Sequence, residues 1–335
     1  MQLFITTRGS YLHVHEEIFE IKTPEGKKQF SPKKIESIVI MTDAAISTDA
    51  LQMALYHNID IVVFDNIGNP MGRFWHSRYG SIATIRQAQI AARYTPLAKE
   101  LMREWVCDKI NNQAELLRKY GRSRKGDIAE SLFEGAKELV KIKKKVMEID
   151  GEVSYIRSHL MGLEGIAARL YFELLSSALP ERWRFHGRSR QPAVDEFNAF
   201  LNYAYGVLYS LCEKACVLSG LDPYAGFLHV DNYNKPALVF DIIENRRRWA
   251  DEVVFSLFSG RKVKEEHTIK VPGGLSLDKP GKILLMQNLN DFLDKKVNAG
   301  GRRIGQRHTI LLDCHRLARR FMGVKDAPVP EVMEI

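Results

Sequence analysis

The chain has 335 residues, 45% hydrophobic and 27% charged; at roughly 150 residues per domain this is two domains or one large one, too apolar for disorder and long enough to bury a core without disulfide or metal. Lys and Arg number 49 against 41 Asp and Glu, a net charge of +8, which favours polyanionic partners such as nucleic acid or an anionic membrane face. No apolar run approaches the ~20 residues of a membrane span, the start Met1-Gln2-Leu3-Phe4-Ile5-Thr6-Thr7-Arg8 has no basic and then long apolar leader pattern, and the scattered Cys107, Cys212, Cys216 and Cys314 make no disulfide scaffold, so a soluble, cytoplasmic protein is expected.

Residues 1 to about 80 read as a small β-rich domain. Leu3-Phe4-Ile5, Leu12 to Ile21, Ile35 to Met41 and Ile59 to Phe64 are short β-branched or alternating runs. Pro24-Glu25-Gly26 and Gly68-Asn69-Pro70 are turn signals between them, and Met71 to His76 reads as the last strand. One short helix interrupts the series, capped by Thr48 and lined by Leu51, Ala54 and Leu55.

From about residue 84 the apolar period becomes 3.6, with Leu101, Trp105, Ile110 and Leu116 on long helices. Residues 118 to 148 are heavily charged, and Lys141, Lys143, Lys144 and Lys145 read as a solvated helix face, a DNA-facing stripe being the alternative. The strongest helix covers 194 to 218, where Val194, Phe197, Leu201, Leu208, Leu211 and Ala215 form one stripe. Cys212 and Cys216 belong to a buried face of it, since no second Cys/His pair stands at zinc-site spacing. Pro223 closes the following turn. Arg261 to Lys282, with Pro272-Gly273-Gly274 and Pro280-Gly281, reads as loop or hairpin, and a last helix covers Thr309 to Phe321. The fold class is therefore α+β: a β-rich domain over 1–80, a helical domain over 84–322, and a loose tail over 323–335.

No Gly-x-Gly-x-x-Gly fingerprint or Gly-x-Ser-x-Gly elbow occurs, and Gly281-Lys282 is followed by Ile283 with no Gly five positions earlier, so nucleotide hydrolysis and serine-hydrolase chemistry lose support. Three segments carry acidic or imidazole groups in apolar surroundings. In His159 to Arg169, Glu164 sits among Leu163, Gly165, Ile166, Ala167 and Ala168; a carboxylate on an apolar helix face is costly unless paired or metal-bound, and an ion pair with Arg169 or another helix is the structural alternative. In Asp222 to His229, the imidazole follows an apolar run and points inward, as a core histidine or a ligand. In Leu238 to Arg248, Asp241 and Glu244 share a helix face and repel unless a cation lies near, whether a metal or Arg247 or Arg248 one turn on.

Together, one Glu, one His and an acidic pair suit a hard cation, Mn²⁺ or Mg²⁺, of the kind that serves phosphodiester chemistry. Arg182, Arg184, Arg188 and Arg190 cluster with Trp183 and Phe185, a basic patch interleaved with aromatics that suits a nucleic-acid backbone and base stacking, or an ordinary exposed loop.

These segments resemble the CRISPR-associated endonuclease/integrase of spacer acquisition, the Cas-one family. The resemblance runs through Gly162-Leu163-Glu164-Gly165-Ile166-Ala167-Ala168, Asn198-Ala199-Phe200-Leu201-Asn202-Tyr203-Ala204-Tyr205, Gly220 to His229 and Leu238 to Glu244, four motifs in order over nearly the whole chain. It implies a homodimer paired through the β-rich domain, and a Mn²⁺ or Mg²⁺ ion held by Glu164, His229 and Glu244 with Asp241 supporting catalysis. Asn198 and Asn202 take a structural or DNA-positioning role. It implies double-stranded and branched DNA as substrate, a small companion protein (Cas-two) in a larger assembly, and joining of short invader-derived DNA to the CRISPR array by strand transfer. Arg182, Arg184, Arg188, Arg190, Arg247 and Arg248 are the candidate DNA contacts. An architectural DNA-binding protein and an esterase for RNA or small phosphate esters are the competing readings.

Overall fold

The structure is a computed structural model and describes residues 2–35, 37–57, 59–64, 70–74, 82–189, 192–230, 235–299 and 302–323. The chain divides into two compact units, one within Met1–Tyr79 and one within Gly80–Val329, and its fold is α+β.

The first unit contains β1 (Gln2–Ile5), β2 (Ser10–His15), β3 (Ile18–Thr23), β4 (Gly26–Phe30), β5 (Ser37–Ile40), β6 (Ala44–Ile46), α1 (Thr48–Tyr56), β7 (Asp60–Phe64) and β8 (Pro70–Phe74). They form two four-stranded sheets, ordered β1-β5-β7-β8 and β4-β3-β2-β6. In the first, β1, β5 and β7 run parallel and β8 closes the edge antiparallel. In the second, β2, β3 and β4 form an antiparallel meander, and β6 joins β2 in parallel. Leu3, Leu12, Phe19, Ile38, Ile59 and Ile61 build the core between these elements.

Two local readings change here. The apolar run Leu12 to Ile21 is a hairpin rather than one strand, because Glu16 and Glu17 take left-handed φ values of 49° and 61°; that is the turn conformation usually supplied by Asn or Gly, so the sequence does not announce it. The cap of α1 is Ser47, whose hydroxyl accepts from the Ala50 N–H at 3.4 Å, while Thr48 is the first helical residue. Ala50 and Ala54 form its buried face, with Leu51 only partly covered. Gly68-Asn69 and the end of the expected last strand, 75–76, lie outside the described residues.

The second unit contains α2 (Ile82–Ala92), α3 (Pro96–Arg122), α4 (Asp127–Glu148), α5 (Val153–Ser177), α6 (Glu196–Leu218), α7 (Ala237–Ile243), α8 (Arg247–Ser259), β9 (Thr268–Val271), β10 (Gly274–Leu277), α9 (Lys279–Leu293), β11 (Lys296–Ala299), β12 (Arg302–Gly305) and α10 (His308–Phe321). Pro96 opens α3 at a position where its missing N–H costs nothing. Lys141, Lys144 and Lys145 on α4 are solvent-exposed. The central helix is α6, capped by Asp195, whose carboxylate accepts the Asn198 N–H at 2.7 Å. Val194 precedes the helix and is 67% exposed, so it leaves the expected stripe, whereas Phe197, Leu201, Leu208, Cys212, Ala215 and Cys216 are buried. Phe258 of α8 packs edge-on to Trp183, Phe197 and Phe200 at 5.4, 5.3 and 5.3 Å, a ring cluster that locks α8 against α6.

The stretch from Arg261 to Lys282 holds the expected hairpin, β9 with β10, but Pro280-Gly281 belongs to the first turn of α9. A second short hairpin, β11 with β12, escapes the sequence reading because its strands are four residues each and largely polar. The tail beyond Gly323 lies outside the described residues. Among those described, no helix is long and apolar enough to cross a membrane.

Candidate functional site

Glu164, His229, Glu244, Arg188, Arg247 and Arg248 line one cleft of about 240 Å³ in the helical unit, together with Lys109, Tyr205 and Asp251. They reach it from α3, α5, α6, α8 and three connecting segments. Each is delivered by a different local device.

His229 is set by a loop that is pinned at many points. The buried Gln89 of α2 donates to the carbonyls of Asp222 and Ala225 at 2.9 and 2.8 Å and accepts the Asp222 N–H at 2.8 Å. Arg157 of α5 donates to the Phe227 carbonyl at 2.9 Å. Asp241, fully buried on α7, accepts the backbone N–H groups of Phe227, Leu228 and His229 at 2.6, 3.2 and 2.9 Å. The same carboxylate lies 2.8 Å from His229 Nδ1. A carboxylate there fixes the proton on Nδ1 and leaves Nε2 as the ring's lone-pair nitrogen. Burial pushes the Asp241 carboxyl up, against the pull of His229 and the loop amides. Gly226 makes the approach possible: a Cβ there would lie 2.5 Å from the His229 carbonyl oxygen and 2.7 Å from the Ala237 backbone.

Asp241 and Glu244 therefore do not share a task. Glu244 caps the short α7 with helical φ and ψ of −55° and −40°, and its side chain lines the cleft while Asp241 is spent on the loop. There Glu244 Oε1 accepts from Arg247 Nε at 2.9 Å, and Oε2 lies 2.5 Å from the Lys109 ammonium. Burial alone would raise the Glu244 pKa, but Arg247 and Lys109 outweigh it and bring it down to about 2. Glu164 lies at the rim, its side chain 26% exposed, so it does not carry the full burial cost expected of an apolar helix face. Its cation is Lys109 of α3 rather than Arg169. The backbone beside it is open: a Cβ at Gly162 or Gly165 would meet nothing within 4 Å.

The arginines divide. Arg188 is not a surface group: it donates to Asn198, and to Asn202 Oδ1 at 2.7 Å, and packs over Phe172 and Tyr205 at 5.5 and 5.3 Å. Arg247 donates to Tyr209 at 2.8 Å and lies 4.8 Å from the Tyr205 ring centre, so two guanidinium groups pack on one phenol. Arg248 pairs with Glu115 of α3. Arg182 is exposed, pairs with Glu265 and lies 4.8 Å over Trp183, and Arg184 is exposed. Trp183 and Phe185, 8% and 4% exposed, belong to the core, with Phe185 stacked on Phe197 at 4.3 Å, so these rings are not free to stack bases. Arg190 lies outside the described residues.

Two cleft residues, Lys109 and Asp251, had no sequence signal. Lys109 is one cation among many. Asp251, fully buried, accepts from Tyr171 at 3.0 Å and Tyr205 at 2.5 Å, and burial raises its pKa. Among the described residues no three His, Cys, Asp or Glu side chains stand close enough together to hold one ion in this conformation. The two carboxylates that face each other, Glu164 and Glu244, are nevertheless arranged around a cation, the Lys109 ammonium, and the nearby imidazole is held in a ligand tautomer. Two hard oxygen donors and one nitrogen fit Mn²⁺ or Mg²⁺.

The fold and cleft define an α+β protein with a carboxylate and imidazole centre flanked by guanidinium groups. Residues 3–291 match the family model described as CRISPR associated protein Cas1, and the chain belongs to that family. It is 34% identical to the CRISPR-associated endonuclease Cas1 1 of Archaeoglobus fulgidus over 96% of this chain and 97% of the relative. It is 26% identical to the CRISPR-associated endonuclease Cas1 of Korarchaeum cryptofilum over 91% and 90% of the two chains. Among solved structures, a casposase bound to its integration product superimposes with a TM-score of 0.83 at 22% identity, covering 99% of this chain and 93% of that one. A Cas1 protein from Thermotoga maritima gives 0.82 at 23% identity, with 99% and 100% covered. A Cas6-RT-Cas1–Cas2 complex gives 0.80 at 19% identity, with 96% of this chain and 35% of that one covered. These last three are likenesses of fold.

Proposed function

We propose that the protein is the metal-dependent endonuclease and integrase of CRISPR adaptation, acting at the cleft that holds Glu164, His229 and Glu244. The reading is carried by one observation: three acid or imidazole groups far apart in the sequence line a single cleft with Arg188, Arg247 and Arg248. Membership of the same family as the relatives named endonucleases in Archaeoglobus fulgidus and Korarchaeum cryptofilum supports it.

Strand transfer exchanges one P–O bond for another: the 3′-hydroxyl oxygen of the incoming DNA bonds to phosphorus as the array's own 3′-oxygen leaves with the electron pair. With water as nucleophile the same exchange is cleavage. A bound Mn²⁺ or Mg²⁺ supplies Lewis acidity and lowers the nucleophile's pKa. Glu164, Glu244 and His229 Nε2 would hold it. Asp241 keeps the imidazole oriented, with a proton on Nδ1 and Nε2 turned to the cleft. Arg188 and Arg247 give the cleft wall a positive charge that draws in the phosphodiester. Arg182, Arg184, Arg190 and Arg248 extend the contact with double-stranded and branched DNA. The β-rich unit pairs two copies as a homodimer, the cytoplasm is the setting, and a small companion, Cas-two, completes the assembly, in line with the solved complex that shares the fold.

Glu164→Ala and His229→Ala, assayed for cleavage and strand transfer with Mn²⁺, lose both activities while keeping the wild-type circular dichroism spectrum. Wild-type rates in both folded variants would remove the assignment. Sedimentation of the purified chain reads the homodimer directly.

A further inference from the structure

The position of Lys109 is not explained by a role in folding alone. Its side chain is 11% exposed, and its ammonium touches Glu164 of α5 and Glu244 at the α7–α8 corner, two carboxylates from separate elements. Glu244 Oε2 is buried, and the group that meets it is that ammonium, at 2.5 Å. The other oxygen, Oε1, is already committed to Arg247. The oxygen turned to the cleft is therefore the one that Lys109 covers.

We infer that Lys109 is a resident counter-ion of the acidic centre, which holds Glu164 and Glu244 together in the metal-free protein and must leave for a divalent cation to enter. The inference rests on the metal reading of the cleft. Two carboxylates facing each other in a partly dry cleft repel, and a tethered cation relieves that repulsion. A dication cannot take the same oxygens while an ammonium remains on them, because like charges a few ångströms apart repel strongly where water is scarce. The lysine stem is long and flexible, so the ammonium can swing away while α3 stays in place. The consequence is a threshold: the centre stays electrically closed until the ion concentration is high enough to displace Lys109.

The test uses the full-length protein without DNA. Mn²⁺ binding is followed by the loss of the free-ion electron paramagnetic resonance signal in wild type, Lys109→Gln and Lys109→Arg. Removing the competing charge tightens binding in Lys109→Gln by about tenfold or more, whereas Lys109→Arg, which keeps it, binds no more tightly than wild type. Without metal, Lys109→Gln melts at a lower temperature than wild type, and the gap closes as Mn²⁺ is added. In a Mn²⁺-bound crystal structure of the wild type, Nζ has left both carboxylates, and this measurement decides the matter if Lys109→Gln does not fold. Equal or weaker Mn²⁺ binding by folded Lys109→Gln, or a metal-bound structure with Nζ still on both oxygens, overturns the inference. His229→Ala separates the two levels. Binding that needs His229 but ignores Lys109 overturns this assignment only. A wild type that binds no Mn²⁺, or binds it without need of His229, overturns the metal reading and this inference with it.

Discussion

Replacing Glu244 by Gln removes a charge from a carboxylate that is 3% exposed and faces two cations, Lys109 and Arg247. Those cations overcome the burial that would raise its pKa and bring it from 4.5 to about 2. A carboxyl lowered that far stabilises the fold by about 3 kcal/mol when ionised. Because the folded-state pKa is the depressed one, this contribution is complete above the unfolded value of 4.5, shrinks as pH falls, and is gone below about 2. Gln stands in for the protonated carboxyl. In chelator, Glu244→Gln is therefore less stable than wild type by about 3 kcal/mol near neutral pH, and by roughly half of that near pH 3. Urea unfolding at a series of pH values, followed by tryptophan fluorescence, gives the difference directly. A difference that stays flat from neutral pH to about pH 3, or a Gln variant as stable as wild type at neutral pH, would refute the balance of burial and ion pairing described for this residue.

Other perturbations probe the supports of the cleft. Gly226→Ala brings a methyl against the backbone of His229 and Ala237, so it costs about 1–3 kcal/mol and weakens Mn²⁺ binding; a thermal melt and a metal titration read both. Asp241→Asn sets an NH2 group where the carboxylate accepts from the 227–229 amides or from the His229 ring, so it loosens the loop as well as the tautomer; the melting temperature falls and strand transfer drops roughly 10- to 100-fold. Tyr171→Phe and Tyr205→Phe each take one hydroxyl from the buried Asp251 and cost about 1–3 kcal/mol. A double-mutant cycle by urea unfolding shows them coupled through that carboxylate, and two losses that simply add would refute the shared partner.

Much of the site could be read in the sequence because its chemistry is out of place there. Glu164, His229 and Asp241 with Glu244 stand out as polar groups inside apolar runs, and the fold brings all four to one region. The sequence could not show how they divide the work. Asp241 and Glu244, three apart, look like partners on one helix face, but their partners differ: Asp241 holds the 227–229 loop, while Glu244, at the end of α7, meets Lys109 and Arg247. Lys109 and Asp251 carry no such mark: a lysine on a charged helix and an aspartate beside a glutamate have many ordinary explanations, and only the packing of α3 and α8 around the cleft sets them apart. Arg188 was legible as a cation but not as a half-buried, bonded one, since its partners Asn198 and Asn202 lie more than two helical turns away in sequence. In the β-rich unit the strands follow from alternation, but the Glu16-Glu17 turn does not, because its backbone is imposed by the pairing of β2 with β3.

Three successive amides converge on the Asp241 carboxylate, and that grip belongs to the main chain alone. The ring of His229 adds a fourth contact to the same carboxylate, so the loop is matched to an imidazole at that position. A shorter side chain there would give up the ring's bond to Asp241, and a second carboxylate would be repelled by it, so this loop is built to present a ring nitrogen and little else.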